Sequence, residues 1–164
     1  MAAKELRVGG QAPVFALLDG SGATVALAGY RGQRVVLYFY PKDDTPGCTK
    51  EACSFRDERA ALAREDAVVL GVSCDTGASH QRFTEKYHLT FPLLSDPDAT
   101  VCKAYGVYAQ KSMYGRTYWG IERSTFVIDE RGRIAAIFRK VKVDGHTADI
   151  LSVLRSLALS VSRR

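Results

Sequence analysis

The sequence predicts an α/β fold with a central mixed β-sheet flanked by helices, and three observations carry that prediction. Residues 35–40 (VVLYFY) and 67–73 (AVVLGVS) are apolar, β-branched runs of the length expected for strands buried on both faces. The segment between them, 46–65, has apolar residues at helical spacing. A strand, helix and strand in this order imply a parallel pair with a right-handed crossover.

The chain before the first buried run predicts an N-terminal strand extension. Apolar residues lie on both sides of the turn sequence DGSG at 19–22. This pattern indicates two short strands within residues 11–33, ahead of the main sheet.

The C-terminal half predicts further elements of the same sheet and its helices. Residues 108–119 are polar and aromatic and are interpreted as a surface loop, and the chain beyond Val161 is expected to fray. The predicted elements are a helix at 79–88, a short strand at 91–95, a helix opened by Asp96, a hairpin of 124–129 with 133–138, and an amphipathic helix at 146–161.

Composition indicates one domain, residues 1–164, of the soluble globular class. The chain is 46% hydrophobic and 25% charged, with a net charge of +5. Its basic residues form no block suited to nucleic acid, so nucleic-acid binding is not expected. The first ten residues lack the apolar core of a signal peptide, and no run reaches the length of a membrane span, so we expect a cytoplasmic protein without a membrane partner.

Cysteine usage points to reactive or buried thiols. The four cysteines form no CxxC pair, and the three histidines lie at unrelated positions, so a zinc site is not expected. Cys74 follows the second buried strand and could lie near other active-site residues, but a structural role is favoured. Cys102 is interpreted as a small core residue of its helix.

Cys48 is the candidate nucleophile. Pro41 ends the first buried strand, Thr45 is a suitable N-cap, and Pro46 suits the first helical position, which places Cys48 in the first helical turn. The partial positive charge of a helix N-terminus stabilises a thiolate there. Gly47 leaves the adjacent backbone uncovered. The alternative is a small apolar residue that covers the helix start.

Cys53 follows Cys48 by five residues. On an ideal helix this spacing separates the two Cα atoms by about 8.6 Å, whereas a disulfide needs about 4.4–6.8 Å. A Cys48–Cys53 disulfide would therefore require the first turns of the helix to unwind. The alternative for Cys53 is a core cysteine on the buried face of the helix.

These residues carry a family resemblance. Pro41-x-x-x-Thr45-x-x-Cys48 resembles the PxxxTxxC signature of peroxiredoxins, and residues 39–53 (FYPKDDTPGCTKEAC) are similar to the bacterioferritin comigratory protein, or peroxiredoxin Q, branch. Residues 120–129 (GIERSTFVID) resemble the later segment that carries the family's active-site arginine. The resemblance extends over about residues 9–157 and implies a thioredoxin-like fold with an N-terminal extension.

The resemblance implies a thiol peroxidase that reduces hydrogen peroxide and organic hydroperoxides. Cys48 would attack the peroxide and become a sulfenic acid. Thr45 and Arg123 would donate hydrogen bonds, Pro41 would shield Cys48 from water, and Glu51 would have a supporting role in orienting an arginine.

In the rest of the implied cycle, Cys53 would condense with the sulfenic acid to give an intramolecular disulfide, and thioredoxin would reduce that disulfide. The chemistry implies no metal, flavin or haem cofactor. Because the resolving cysteine is in the same chain, a monomer suffices.

Two other functional classes stay open at this point. A general disulfide oxidoreductase or thiol sensor could use Cys48 and Cys53 with little peroxidase turnover, although the five-residue spacing disfavours it. A chaperone or interaction module on the same scaffold would keep its function without Cys48, but no exposed apolar stripe in the sequence supports it.

Overall fold

The computed structural model describes residues 5–162 and has the α/β class that the sequence predicts. The strands are β1 (Ala16–Asp19), β2 (Thr24–Ala26), β3 (Arg34–Phe39), β4 (Ala67–Ser73), β5 (Leu93–Ser95), β6 (Tyr108–Met113), β7 (Arg116–Ile121), β8 (Ser124–Ile128) and β9 (Ile134–Phe138). The helices are α1 (Pro46–Asp57), α2 (Arg59–Arg64), α3 (Gly77–Tyr87), α4 (Thr100–Ala104) and α5 (His146–Ser162), with a 3₁₀ turn at Leu27–Tyr30. Among the described residues, no helix is both long enough and apolar enough to cross a membrane.

Within residues 5–162, seven strands form one mixed sheet in the order β2-β1-β5-β4-β3-β8-β9. Strands β3, β4 and β5 are parallel, whereas β8 is antiparallel to β3 and β1 is antiparallel to β5. Phe39 pairs with Val72 near the carboxyl ends of β3 and β4. The loops that leave these two strands therefore start side by side, at the edge where α/β proteins place their active sites.

Strand β3 is buried along its whole length and separates two apolar cores. Alternate side chains point to opposite faces of a strand. Val35, Leu37 and Phe39 pack on the face that holds the 3₁₀ turn and α4. Val36, Tyr38 and Tyr40 pack on the other face, against α1, α2, α3 and α5. The helices thus cover both faces, as the sequence predicts.

Gly71 of β4 makes room for the large side chains of the second core. It pairs with Tyr38 of β3 and Leu93 of β5. A Cβ atom at Gly71 would lie 2.9 Å from the Tyr38 ring and 2.8 Å from a Leu93 methyl group. The φ of Gly71 lies outside the left-handed region, so backbone conformation does not require a glycine there. The glycine is needed because the two neighbouring side chains leave no space for a Cβ atom.

The helix expected to run from Pro46 to about Glu65 is broken, so this prediction is wrong. The chain forms α1 and α2 with Glu58 between them, at φ −94° and ψ 17°. This ψ turns the peptide out of the α-helical ladder. The Glu58 carbonyl still accepts the N–H of Leu62, at 3.0 Å, so the break leaves that group bonded.

The surface loop expected at residues 108–119 is also wrong, because this segment forms the antiparallel hairpin of β6 and β7. Its two-residue turn consists of Tyr114 and Gly115, with φ values of 52° and 77°. Positive φ at both positions is the geometry of tight hairpin turns. On its surface, the ring of Trp119 stacks on Tyr108, with centroids 5.9 Å apart.

The remaining predicted elements are confirmed with small shifts. The hairpin of β8 and β9, the closing helix α5 and the two N-terminal strands are present. The Asp96 side chain accepts the N–H groups of Val101 (3.2 Å) and Cys102 (2.8 Å), although the N-cap of α4 is Ala99. Helix α5 runs through Ser162, where the sequence predicts a fraying end, and 163–164 lie outside the described residues.

Candidate active site

Cys48 lies at the position that the sequence predicts, in the first turn of α1. Thr45 is the N-cap residue and Pro46 is the first helical residue. Cys48, Glu51 and two further residues, at 52 and 55, form the buried face of α1. The Cys48 side chain is only 1% exposed. All four cysteines fall within the described part of the chain and are free thiols.

Arg123 contacts both Cys48 and Glu51. Its Nη2 atom donates to the Cys48 sulfur at 3.4 Å, and its Nη1 atom donates to Glu51 Oε1 at 2.6 Å. Arg123 lies between β7 and β8, 75 residues along the chain from Cys48. Burial lowers the pKa of Arg123, but the charges of Glu51 and Cys48 raise it by more, so the guanidinium stays charged.

Gly47 gives the Arg123 guanidinium the space it needs. A Cβ atom at Gly47 would lie 3.1 Å from Arg123 Nη2. That distance is tighter than ordinary van der Waals contact. The glycine therefore serves the approach of Arg123 to Cys48, in addition to leaving the backbone beside the sulfur uncovered.

Glu51 is a buried carboxyl group with an incomplete set of partners. Its side chain is 2% exposed, and burial raises its pKa to about 7 against the opposing pull of Arg123. Within the described residues, Glu51 Oε2 and the hydroxyl of Tyr38 are buried without a hydrogen-bond partner. The contact of Glu51 Oε1 with Arg123 Nη1 holds one side of the guanidinium.

The loop between β3 and α1 is anchored by two aspartates, whose contacts with distant segments have no signal in the sequence. The buried Asp43 carboxylate accepts hydrogen bonds from the Tyr40 hydroxyl (2.5 Å) and the Ser79 hydroxyl (2.8 Å), and shares one with His80 Nδ1 (2.7 Å). Asp44, at φ 56°, accepts from Lys86 and Tyr87 of α3, both at 2.7 Å. These contacts fix the start of α1 relative to α3.

Part of this network has the composition of a metal site. Among the described residues, Asp43, Asp75 and His80 bring ligand atoms within 4.8 Å of one another. Asp75 Oδ2 already accepts the Asp43 N–H at 2.8 Å and the Ser73 hydroxyl at 2.6 Å. The carboxylate oxygens of Asp43 and Asp75 are thus engaged in hydrogen bonds within the protein, and the cluster holds the loop between β3 and α1 in place.

Thr45 and Pro41 lie on the same loop and are more exposed than Cys48. The Thr45 hydroxyl donates to the Lys42 carbonyl at 2.9 Å and makes no capping bond to α1. Its proton is therefore in use, so the donor role expected for Thr45 does not fit this arrangement, whereas its oxygen remains able to accept. Pro41 follows the buried Tyr40 directly and is itself exposed.

Cys53 and the remaining cysteines occupy different surroundings. Cys53 is half-buried within α1, so Cys48 and Cys53 both have helical backbones and stand apart as the spacing predicts. Cys102 is fully buried, as expected, and Cys74 is half-buried beside it.

Two further groups near the site were not anticipated. Burial, and the nearby charge of Arg123, lower the pKa of Lys111 on β6, which also interacts electrostatically with Cys48. Burial lowers the pKa of His146 to about 4, and its Nε2 shares a hydrogen bond with the Thr125 hydroxyl at 2.8 Å. No local sequence motif marks Lys111 or His146, because each approaches the site from a segment far from Cys48 in the chain.

A buried thiol in a first helical turn, paired with a guanidinium at the carboxyl edge of parallel strands, is the site of a thiol-dependent redox enzyme. Residues 8–137 match the AhpC/TSA family. The chain is 53% identical over 149 residues to a putative peroxiredoxin Bcp of Coxiella burnetii, covering 91% of this chain and 99% of that protein. It is 44% identical over 153 residues to peroxiredoxin Bcp of Escherichia coli, covering 93% and 98%.

Solved structures agree with these relatives. A cysteine-to-serine variant of PrxQ from Xylella fastidiosa superposes with a TM-score of 0.89 at 40% identity, covering 94% of this chain and 99% of that one. The bacterioferritin comigratory protein of Xanthomonas campestris, studied for alkyl peroxide reduction, gives 0.84 at 40% identity, covering 88% and 92%.

The chain belongs to the AhpC/TSA family, and it is a peroxiredoxin of the Bcp/PrxQ kind. The thioredoxin-like fold and the peroxidase activity predicted from the sequence are thereby confirmed.

Proposed function

We propose that Cys48 is the residue that attacks the hydroperoxide and that Cys53 resolves the product. A peroxiredoxin takes a hydroperoxide as substrate and a thiol as reductant. The contact of Arg123 Nη2 with the Cys48 sulfur, at 3.4 Å, carries the assignment, because a fixed positive charge stabilises the attacking thiolate.

In this proposal, attack by the Cys48 sulfur breaks the O–O bond and leaves a sulfenic acid on Cys48. The second oxygen leaves as water or an alcohol after taking up a proton. Arg123 and the unpaired N–H groups of the first turn of α1 would donate to that oxygen. Thr45 would accept the hydroperoxide O–H, since its own proton is engaged by Lys42. Pro41 would limit the access of water.

Glu51 is assigned as the positioning residue for Arg123. It holds Nη1 at 2.6 Å, which leaves Nη2 directed at the sulfur. Replacing Arg123 with glutamine should slow the reaction with peroxide by about 10²–10³, the cost of losing one strong electrostatic contact. Arg131→Gln, at an exposed position in the β8–β9 turn, is the matched control. Equal rates for the two variants would remove Arg123 from the mechanism.

Resolution by Cys53 would require α1 to open. Both cysteines lie within α1, and an intact helix holds their Cα atoms about 8.6 Å apart, beyond the reach of a disulfide. After the first turns unwind, the Cys53 thiol attacks the sulfenic sulfur, a disulfide forms and water leaves. Thioredoxin would reduce this disulfide in the cytoplasm. The complete cycle fits within one chain, which supports a monomer.

One experiment tests the cysteine assignments together. Reduced protein is treated with one equivalent of hydrogen peroxide, unreacted thiols are alkylated, and tryptic peptides are analysed by mass. Trypsin places each of the four cysteines in a separate peptide, 43–50, 51–56, 65–82 and 87–103. A linkage of 43–50 to 51–56 supports the proposal. A linkage of 43–50 to 65–82 would move resolution to Cys74, and four unmodified thiols would refute the assignment.

Serine variants separate the two roles. Cys48→Ser should lose catalytic, thioredoxin-linked turnover of peroxide, because a hydroxyl is not ionised near neutral pH. Cys53→Ser should react once, accumulate oxidised Cys48 and fail to recycle with thioredoxin. Cys74→Ser is the matched control and should retain turnover. Turnover that survives in Cys48→Ser would favour another function on this scaffold.

A further inference from the structure

A second pair of thiols lies outside the proposed active site. Cys74 immediately follows β4, and Cys102 lies in the middle of α4. The two side chains pack in the same core, and their thiol groups are close enough to influence each other's ionisation. The fold therefore brings the two thiols together, although 28 positions separate them in the sequence.

The fold holds both thiols in place. The Asp96 carboxylate accepts the backbone N–H of Cys102 at 2.8 Å, and the Asp96 N–H donates to the Ser73 carbonyl at 2.9 Å. Asp96 thus connects the backbone of Cys102 to the residue that precedes Cys74. Cys102 is completely buried, whereas Cys74 is partly exposed, so an oxidant from solvent reaches Cys74 first.

The electrostatics divide the roles of the two sulfurs. The hydrogen bond from Cys102 lowers the pKa of Cys74, against opposition from burial and from the charges of Asp96, Asp75 and Asp98. The same bond, together with burial and Asp96, raises the pKa of Cys102 well above its ordinary value. Cys74 is therefore the group that ionises first, and Cys102 is the proton donor beside it.

We propose that Cys74 and Cys102 form a second redox pair, which a hydroperoxide oxidises to an intramolecular disulfide. The Cys74 sulfur attacks one peroxide oxygen, the O–O bond breaks, and the other oxygen leaves with a proton as water or an alcohol. The Cys102 thiol then attacks the Cys74 sulfenic acid, the S–S bond forms, and the hydroxyl leaves as water. The two thiols are oxidised by two electrons, and one peroxide is reduced.

This pair differs from Cys48 and Cys53 in its geometry. Cys48 and Cys53 share one helix and are held apart by it, whereas Cys74 and Cys102 come from a strand end and a separate helix. Because the two side chains lie in one core and on different elements, no shared helix holds them apart, and the second disulfide requires no unwinding of a helix. The inference does not rest on the proposed role of Cys48, and the two can fail separately.

The test uses the full chain with Cys48→Ser and Cys53→Ser, so that Cys74 and Cys102 are its only thiols. Folding is checked by circular dichroism against the wild type. The protein is treated with excess hydrogen peroxide, then unfolded and alkylated. We expect complete loss of both alkylatable thiols, a mass lower by two hydrogen atoms, and a cross-link between peptides 65–82 and 87–103. Dithiothreitol should restore both thiols.

A further variant with Cys102→Ser is the matched control. Its Cys74 should instead accumulate sulfinic acid, because no thiol remains to capture the sulfenic acid. The inference is overturned if Cys102 of the double variant stays fully alkylatable after peroxide, or if Cys74 over-oxidises equally with and without Cys102. The same cross-link in peroxide-treated wild-type protein would support the inference without any substitution in the chain.

Discussion

Replacing Glu51 with glutamine should stabilise the protein at alkaline pH. Glutamine keeps an oxygen that can accept from Arg123 but cannot carry the buried charge. In the folded protein the pKa of Glu51 is raised to about 7, whereas the ordinary value is 4.5. The folded state therefore holds this proton more tightly than the unfolded state, and stability falls as pH rises between these two values.

The size of the effect follows from the two pKa values. Compared with a side chain that stays neutral in both states, Glu51 lowers the free energy of unfolding by about 1 kcal/mol at pH 5, where only the unfolded state ionises, and by about 3 kcal/mol at pH 8, where both states have lost the proton. Glu51→Gln mimics the protonated form and removes this cost. The gain at pH 8 corresponds to a rise in melting temperature of roughly 6–12 °C for a chain of this size.

The assay is urea unfolding of reduced wild type and Glu51→Gln at pH 5 and pH 8. Glu85→Gln, an exposed position on α3, is the matched control because it removes the same formal charge. The control should change stability by less than about 0.5 kcal/mol at either pH. An equal difference between wild type and Glu51→Gln at both pH values would refute the reasoning, as would a less stable variant at pH 8.

Three further predictions concern other parts of the molecule. Gly71→Ala should lower the free energy of unfolding, measured in urea, by about 1–3 kcal/mol, because the added methyl group overlaps Tyr38 and Leu93. An unchanged free energy of unfolding would contradict this packing. Folding keeps His146 neutral, so the stability of His146→Gln relative to wild type should rise by about 2–3 kcal/mol as pH falls from 6.5 to 4, and a difference that does not change with pH would contradict this. Peroxide oxidation should raise hydrogen exchange in residues 45–56, and unchanged protection would mean that the disulfide forms in an intact helix.

The buried strands and the helix start were predictable because their signals are local. The six residues at 35–40 are apolar without interruption, and Thr45 with Pro46 marks the beginning of α1. The hairpin of β6 and β7 was not predictable in this way. Residues 112–119 are exposed on both faces of the hairpin, so no alternation of apolar and polar side chains reveals the strands. The break at Glu58 was not predictable either, because no proline or glycine marks it in the sequence.

The residues of the site likewise differ in whether a local sequence signal marks them. The position of Cys48 follows from its helix, but Arg123 was reached only through the family resemblance, since a contact 75 residues distant leaves no periodic signal. The contact of Asp43 with His80 also joins distant segments, and neither residue was singled out. Contacts between segments depend on the assembled sheet, and a single sequence does not display them.

The hairpin of β6 and β7 provides a natural optical probe. Trp119 is the chain's single tryptophan, and it is 61% exposed on the strand that leads into Arg123. Indole emission depends on the solvent around the ring, so intrinsic fluorescence reports on this one position without any label. Oxidation of the protein by excess peroxide, and its later reduction by a reductant that does not absorb near 280 nm, could each be monitored by stopped-flow measurement of tryptophan emission. A protein partner that covers the hairpin would shift the spectrum to shorter wavelength, which would distinguish docking from chemistry.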